Sequence, residues 1–311
     1  MKTLYIPLTV ALCLLLASCE KGEGVYSTKK KIVEVYSQTS GWFMNYNTES
    51  GEWEKETYDD PRYRCEEWIW DHRRLESIKY SEKNGSTSGT DRFTYSGGLV
   101  SEKANSSRSH RTVYTYNGKE MTKIQWYVDH TLLATTDLKH TDGHITEAYT
   151  EYYSTSKGAF KQEALPSEVL TFAPYTAYLS ETAADRKASG PEEIFNEKVV
   201  IEWANDDIIM KVRSYYGDDI KAEWSFSYDS KKNPLKNFWT KEQISATSIP
   251  LYGCPNNVTE YSMVSGGETI ETCSFSYIYE GDYPTKRVCE KTTQGRPFGT
   301  GETITTEYIY K

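Results

Sequence analysis

The chain has 311 residues, a formal net charge of -9, and 26 tyrosines beside 8 tryptophans and 9 phenylalanines. An acidic chain is not expected to bind nucleic acid, which requires a basic surface, or to bind anionic lipid through its overall charge. Aromatic residues together with many Ser and Thr suit the half-buried surface of a pleated sheet. The composition therefore favours an all-β protein.

The N-terminus has the pattern of a secretory signal. Lys2 precedes a mostly apolar run over residues 4–16, and small residues lead up to Cys19. The run is shorter than the ~20 residues that a membrane span needs. The ending Leu-Ala-Ser-Cys resembles the lipobox of bacterial lipoproteins, which implies cleavage after residue 18 and a diacylglycerol on the Cys19 sulfur. An ordinary signal peptide with an incidental Cys19 is the alternative.

Acyl chains on Cys19 would tether the mature chain to a membrane. We expect residues 1–18 to be the signal peptide, residues 19–30 a flexible lipid-anchored tether, and residues 31–311 a single domain. The expected location is the bacterial cell envelope, on the outer membrane. The sequence leaves open whether the protein faces the periplasm or the cell surface.

A short phrase recurs along the chain. Residues 92–103 (RFTYSGGLVSEK) and residues 113–124 (VYTYNGKEMTKI) superimpose, and related phrases begin near residues 68, 138 and 275. In each copy, alternating aromatic residues indicate a strand. A turn follows, with Gly in most copies, and then a returning strand. The repeat therefore predicts hairpins in tandem.

Tandem hairpins predict an all-β fold, a long antiparallel meander of about 16 to 18 strands. Such a meander forms a curved sheet, a soluble half-barrel or a closed barrel. The residues that alternate with the aromatics are Thr, Ser, Lys and Glu, unlike the apolar residues of a lipid-facing barrel. Residues 155–198 break the pattern and predict an insertion with short helices. An irregular stretch at residues 247–261 is expected to link later hairpins.

Two resemblances follow from these patterns. The phrase WIWDHRRLESI at residues 68–78 resembles the unit of YD-repeat (Rhs-type) sequences. The lipobox, the hairpin units and NNVTEYS at residues 256–262 together resemble a family of bacterial lipoproteins with a domain of unknown function. That resemblance implies a porin-like β fold and no assigned activity, so it transfers no catalytic residue.

After the expected signal peptide, which contains Cys13, the chain has four cysteines besides Cys19, and none forms a Cys-x-x-Cys motif of the zinc or redox type. Cys273 and Cys289 are equally distant from Gly281. If the hairpin turn is centred on Gly281, the two cysteines face each other with Cβ atoms roughly 4.5–5.5 Å apart, close to the separation in a disulfide. They form a candidate disulfide, and two reduced cysteines in a sheet are the alternative.

No local motif in the sequence identifies a metal site or a catalytic site. His140, Asp142 and His144 have ligand-type spacing, but Asp142-Gly143 is also an ordinary hairpin turn. Acidic pairs are best explained as solvated turns, since many carboxylates could be paired by chance for glycoside hydrolysis; they are Asp59–Asp60, Asp206–Asp207 and Asp218–Asp219. The sequence thus predicts no catalytic residue, no metal and no cofactor.

Eight tryptophans are spread along the chain, and their most economical role is to fill the core; they are Trp42, Trp53, Trp68, Trp70, Trp126, Trp203, Trp224 and Trp239. The leading hypothesis is a membrane-anchored envelope lipoprotein that acts as a non-catalytic binding or structural module for a glycan, lipid or protein partner. Two alternatives stay open. One is a hydrolase acting on glycan or peptidoglycan, and the other is a carrier or acceptor of lipid or lipoprotein.

Overall fold

The structure, a computed structural model, describes residues 23–153, 195–294 and 299–311, apart from residues 27, 106, 108, 206 and 242–247. Within this part, the chain forms seventeen strands and one short helix. Their bounds are β1 (Ile32–Asn47), β2 (Glu52–Asp59), β3 (Tyr63–Asp71), β4 (Arg74–Ser81), β5 (Thr87–Ser96), β6 (Leu99–Asn105), β7 (His110–Asn117), β8 (Glu120–Val128), β9 (Thr131–Thr141), β10 (His144–Tyr152), β11 (Phe195–Asn205), β12 (Ile208–Tyr216), β13 (Asp219–Lys232), α1 (Ser248–Gly253), β14 (Asn256–Ser265), β15 (Glu268–Glu280), β16 (Tyr283–Thr293) and β17 (Thr300–Tyr310).

The strands form a closed antiparallel barrel. From β3 to β17, each strand pairs with the next one along the chain. β1 pairs with β17 on one side and with β3 on the other, which closes a ring of sixteen strands. The predicted all-β meander of 16 to 18 strands is confirmed. Closure removes the free sheet edges that would otherwise favour aggregation.

β2 lies outside the ring. It pairs with the second half of β1, from Ser40 to Asn47. Trp42 is the last β1 residue that pairs with β17, so the remainder of β1 and most of β2 form a two-stranded hairpin that extends beyond the barrel wall. We call residues 42–57 the projecting hairpin.

The repeated phrase builds hairpins with tight turns. Gly97 and Gly98 connect β5 to β6 with φ angles of 60° and 89°, and Gly118 between β7 and β8 has a φ of 61°. Residues with a side chain rarely adopt this backbone region, which explains why the phrase contains Gly at these points.

Eight strands contain one extra residue near their first residues, and all eight begin at the same end of the barrel. Tyr95 pairs with Val100, whereas Thr94 pairs with Glu102, so Ser101 is the extra residue of a β-bulge. At the same end of the barrel, this shift places an extra residue in seven further strands, at positions 33, 76, 122, 146, 210, 259 and 285. Register shifts at the opposite end, such as those at residues 88, 133, 221 and 270, are separate from these eight bulges. The bulge frees the backbone carbonyl of the residue before it.

Aromatic side chains satisfy these freed carbonyls. The Tyr95 hydroxyl donates to the Leu75 oxygen at 2.7 Å, which joins one hairpin to the hairpin before it. We call bonds of this kind aromatic–carbonyl bonds, and seven of the eight bulges have one. The other six are Trp70 to Ile32 (2.7 Å), Tyr116 to Val100 (2.7 Å), Trp203 to Ile145 (2.9 Å), Tyr228 to Ile209 (2.8 Å), Tyr277 to Val258 (2.6 Å) and Tyr310 to Pro284 (2.7 Å).

The extra residue itself contributes a second bond. The Ser101 hydroxyl donates to the Thr94 carbonyl at 3.2 Å, and the Thr122 hydroxyl donates to the Thr115 carbonyl at 3.3 Å. A small hydroxyl residue after the apolar residue is therefore part of the repeated phrase for a physical reason. Its hydroxyl gives a hydrogen bond to a carbonyl of the neighbouring strand, where the bulge interrupts the backbone hydrogen bonds.

The two faces of the wall differ in chemistry. Residues such as Leu75, Ile124 and Val212 point inward and are fully buried. The outer face carries ion pairs between neighbouring strands, for example Lys123 with Asp137 at 3.1 Å. Others are Arg64 with Glu34, Lys139 and Lys198 with Glu147, and Arg213 with Glu202 and Glu223. Because successive residues alternate across a strand, the wall is apolar inside and charged outside.

The segment between β13 and β14 fills the barrel. We call residues 233–241 and 248–255 the inner link. Its Phe238 and Trp239 are 1% and 4% exposed. Phe238 stacks on Tyr26 from the N-terminal segment, with ring centroids 4.1 Å apart, and the Tyr114 hydroxyl donates to the Thr240 carbonyl at 3.1 Å. Within the described residues, the interior is therefore a packed core.

Two sequence predictions need correction here. The stretch at residues 247–261 is not irregular throughout, because it contains α1 and the first part of β14. Pro250 and the buried Ile249 belong to that helix. The predicted insertion at residues 155–198 ends too late, because β11 already begins at Phe195. The rest of the insertion lies outside the described residues.

The aromatic–carbonyl bonds predict a measurable stability cost. We expect Tyr95→Phe and Tyr116→Phe each to lower the free energy of unfolding by about 1–2 kcal/mol, because each leaves a half-buried carbonyl without its donor. Urea denaturation followed by tryptophan fluorescence measures the effect. Tyr127→Phe is the matched control, since that ring lies on the outer wall beneath Arg111. Equal losses in all three variants would contradict the assignment.

Candidate functional site

The N-terminal segment, residues 23–31, meets one end of the barrel. The Val100 amide donates to the Gly24 carbonyl at 2.9 Å, and the Glu23 amide donates to the Lys119 carbonyl at 3.3 Å. The Lys31 ammonium donates to the His72 carbonyl. These partners lie at the turns near residues 72, 98 and 118. We call this the proximal end, and the opposite end, with the turns near residues 84, 130 and 217, the distal end.

The segment is anchored more firmly than a flexible tether. Gly24 and Tyr26 are buried, and the Tyr26 hydroxyl donates to the Pro234 carbonyl of the inner link at 2.8 Å. The prediction of a flexible tether over residues 19–30 is therefore wrong for these two residues. Packing of an aromatic ring against Phe238 was not evident from a short polar stretch of sequence.

Glu23 completes the eighth bulge. Here the residue that precedes the bulge is Met121, and His140 stands where the other hairpins have an aromatic donor. One Glu23 oxygen accepts the Met121 amide at 2.6 Å, and the carboxylate lies 3.0 and 3.1 Å from Nε2 of His140. Burial lowers the pKa of His140, but the hydrogen bond and charge of Glu23 outweigh burial and raise it overall.

The candidate ligand spacing at residues 140–144 does not form a metal centre in the structure. His140 is held by Glu23, Asp142 and Gly143 form the turn with φ angles of 54° and 79°, and the His144 ring lies 4.4 Å from Trp203. Across the described part of the chain, no group of three or more His, Cys, Asp or Glu side chains could hold a metal ion.

A charged cluster lies inside the barrel next to the inner link. Glu66 accepts from Lys241 at 2.9 Å and from the Trp68 indole at 2.6 Å. Asp91 lies 3.8 Å from Lys103, which also donates to the Lys241 carbonyl at 2.6 Å. Each carboxylate is thus paired with an ammonium group. The pairs connect β3, β5 and β6 to the inner link, and their arrangement is that of a structural network.

The described members of the acidic pairs lie in turns or next to them. Asp59 is the last residue of β2, and Asp219 is the first residue of β13. Asp60 pairs with Lys83 at 2.5 Å between two distal segments, and Asp207 pairs with Lys236 at 3.3 Å at the proximal end. Asp218 and Asp219 lie at the turn between β12 and β13. Asp206 lies outside the described residues.

Most tryptophans belong to the barrel interior. Trp68, Trp224 and Trp239 are buried, and three more pack partly buried against the core: Trp70, Trp126 and Trp203. Trp42 and Trp53 lie on the projecting hairpin, where Trp53 remains 43% exposed.

The projecting hairpin has two unlike faces. Tyr46 and Trp53 pair across the strands with ring centroids 5.3 Å apart, and Met44 pairs beside them with Lys55. The opposite face is acidic and carries Glu52, Glu54 and Glu56, each opposite an Asn or Phe43. Asn45 and Asn47 donate to these carboxylates at 2.6 and 2.8 Å. An exposed aromatic surface of this kind suits contact with a partner.

The cysteines fall into two groups. The structure places the sulfurs of Cys273 and Cys289 in contact, with Cα atoms 6.4 Å apart. They are not directly opposite, because Cys289 pairs with Phe275 and Cys273 with Lys291. The turn is centred between Gly281 and Asp282, and the bulge at residue 285 adds a further residue, so the register differs by two residues from that of a turn centred on Gly281. A disulfide between them stays a proposal.

The other cysteines are not exposed nucleophiles. Burial raises the pKa of the Cys65 thiol to about 12, which keeps it protonated and unreactive. Cys254 is buried within the inner link. Cys19 lies outside the described residues.

A cavity between the inner link and the strands β14 to β17 has a volume of about 10 Å³ and is lined by residues that include Asn233, Tyr277, Arg287 and Tyr308. That is room for about one water molecule. Within the described ranges, no helix is both long and apolar enough to cross a membrane.

Docking of the N-terminal segment is expected to weaken as pH rises. The pKa of His140 is raised by Glu23, so the contribution is complete below the unfolded value of about 6.5 and is lost as pH rises through the folded value. Hydrogen exchange of the Tyr26 and Met121 amides should be faster at pH 8.5 than at pH 6 after correction for intrinsic rates, on the order of several-fold. His140→Gln should remove this difference, and a difference that persists in the variant would exclude His140 as its source.

The comparisons with known proteins give similarities of structure alone. No protein-family model matches the chain, and no curated protein is similar to it. The crystal structure of a porin-like protein from Bacteroides uniformis aligns with 90% of this chain and 96% of its own, with a TM-score of 0.49 and 9% sequence identity.

Proposed function

We propose that this protein is a lipid-anchored lipoprotein of the bacterial outer membrane whose filled barrel is a non-catalytic binding or structural module. The observation that carries the proposal is the path of the N-terminal segment. Glu23 and Tyr26 are fixed at the proximal end, only a few residues after Cys19. Acyl chains on Cys19 would therefore hold the proximal end near the membrane and direct the distal end away from it.

The charged outer face of the wall favours a barrel that is surrounded by water and not by lipid. Ion pairs such as Lys123 with Asp137 and Arg213 with Glu223 lie on the outer face of the wall, away from the ends of the barrel. A barrel that crosses the hydrocarbon layer needs an apolar band there, because charged residues at that depth cost about 2–4 kcal/mol each. The anchor, not the strands, is then the attachment to the membrane.

The distal end is the proposed binding surface. It carries the projecting hairpin, with Tyr46 and Trp53 both more than 40% exposed. Aromatic side chains on a protruding element are typical contacts for proteins and for sugar rings. The alternatives have less support. The carboxylates Glu66 and Asp91 are paired with lysines, and the described interior is filled by the inner link where a lipid carrier would need a cavity.

Acyl labelling tests the proposal. Cells fed an alkyne-tagged fatty acid should label the wild-type protein, and the Cys19→Ala variant should lose the label and leave the membrane fraction. Cys65→Ala is the control, because it also removes one cysteine but keeps the lipobox. An unlabelled wild-type protein, or label retained in Cys19→Ala, would overturn the proposed anchor.

A further inference from the structure

The charges of the barrel are distributed unevenly between its two ends. The whole chain is acidic, with a net charge of -9, and the described part of the distal end has more acidic than basic side chains. Its described turns and the projecting hairpin carry few cations, namely Lys55, Arg62 and Lys83, against the acids Glu49, Glu52, Glu54, Glu56, Asp59, Asp60, Glu82, Asp129, Asp218, Asp219 and Glu268.

A basic patch lies at the proximal end, where β1, the turn between β3 and β4, and the end of β17 meet. We define the basic patch as Lys29, Lys30, Lys31, Arg73, Arg74 and Lys311. Ile32 pairs with Tyr310, the Lys311 amide donates to the Lys31 carbonyl at 2.9 Å, and the Lys31 ammonium reaches the His72 carbonyl. These contacts bring three separate parts of the sequence into one surface.

The cations of the basic patch face solvent and are only weakly neutralised. Lys29, Arg73, Arg74 and Lys311 are exposed. Asp71 is hydrogen-bonded to the neighbouring His72 at 2.8 Å. Lys30 lies 3.8 Å from Glu280, a long contact with a carboxylate that is 76% exposed. Such a surface pair leaves most of the positive potential available to a ligand.

Aromatic rings hold several of these cations in place. Lys30 lies 5.6 Å from the Tyr310 ring, Lys31 lies 5.4 Å from the Trp70 ring, and Arg74 lies 5.3 Å from the Tyr95 ring. Trp70, Tyr95 and Tyr310 are donors of aromatic–carbonyl bonds. The same rings that join the hairpins therefore position the basic patch through cation–π contacts.

The path of the chain decides what the basic patch would face. Glu23 is the fourth residue after Cys19, and a fully extended chain covers at most ~3.6 Å per residue. Whatever its conformation, this stretch keeps the proximal end within roughly 15 Å of an acylated Cys19. Electrostatic attraction to a charged bilayer acts over about 8–10 Å at physiological salt, so the basic patch would lie within reach of the headgroups.

We propose that the basic patch binds the phosphate groups of anionic lipid headgroups and holds the proximal end against the membrane. This proposal rests on the proposed lipid anchor for its orientation, but the recognition chemistry is a property of the basic patch itself. The acidic distal end is repelled by the same surface, so both ends favour one orientation. The overall negative charge of the chain conceals this local attraction.

The test separates the basic patch from the anchor. The chain from residue 19 with Cys19→Ala contains every described residue and cannot be acylated. We would measure its co-sedimentation with vesicles of phosphatidylcholine alone, or of equal parts phosphatidylcholine and phosphatidylglycerol. The expected result is binding to the anionic vesicles alone, reversed by salt, and weakened roughly tenfold or more by Lys29→Gln, Lys30→Gln and Lys31→Gln together. Circular dichroism checks that each variant is folded.

A matched control removes the same charge elsewhere. Lys55→Gln, Lys83→Gln and Lys123→Gln together should leave vesicle binding unchanged. Arg73→Gln with Arg74→Gln provides a second variant of the basic patch, away from the N-terminal segment. Equal losses in the control, or no binding of the parent chain to anionic vesicles, would overturn the proposal. Displacement by inorganic phosphate, but not by chloride of equal ionic strength, would assign a free-phosphate site instead and overturn it too.

Failure of the basic-patch proposal can be distinguished from failure of the proposed lipid anchor. A chain that is acylated in cells but does not bind anionic vesicles keeps its anchor and refutes the basic patch. A chain that binds anionic vesicles but is never acylated supports the basic patch and refutes the anchor.

Discussion

The aromatic–carbonyl bond at a β-bulge is the interaction on which the barrel depends. A strand with one extra residue cannot satisfy all of its backbone groups within the ladder, and an unpaired carbonyl in a half-buried position is costly. Tyr95, Tyr228 and Tyr310 each donate to such a carbonyl in the hairpin before their own. Every bond thus connects consecutive hairpins, and repeating it around the ring fixes the order of the strands.

The N-terminal segment contacts the one bulge of the eight that has no aromatic donor, and the inner link fills the interior that the wall encloses. Where His140 replaces an aromatic donor, Glu23 bridges His140 and the Met121 amide. Tyr26 then reaches the interior and stacks on Phe238. The core of so wide a ring cannot be filled by wall residues alone, since larger barrels otherwise enclose a channel. The inner link supplies the missing volume, and Tyr26 joins the N-terminal segment to it.

The sequence predicted the unit but not its tertiary consequences. The phrases at residues 92–103 and 113–124 correctly indicated hairpins, because alternation and Gly turns are local properties. The role of Ser101 and Thr122 in the bulges could have been recognised from their recurrence after an apolar residue. In contrast, the burial of Tyr26 and Trp239 depends on contacts between distant segments, and no local pattern marks it. The prediction that Cys273 and Cys289 lie directly opposite each other was wrong for two reasons. The turn spans Gly281 and Asp282, and the bulge at Thr285 adds one more residue that a count from Gly281 does not include.

The proposed lipid anchor at one end of a filled, outwardly charged barrel predicts a single orientation on the membrane. Hydrogen exchange of the acylated chain on vesicles tests it most directly, with the same protein in detergent as the reference. The account predicts slower exchange at the proximal turns, near residues 72–74 and 97–98, and no change in the projecting hairpin or at residues 217–218. Protection of a belt around the middle of the strands, for example at Lys123 and Arg213, would contradict it, because that pattern belongs to a barrel that spans the bilayer.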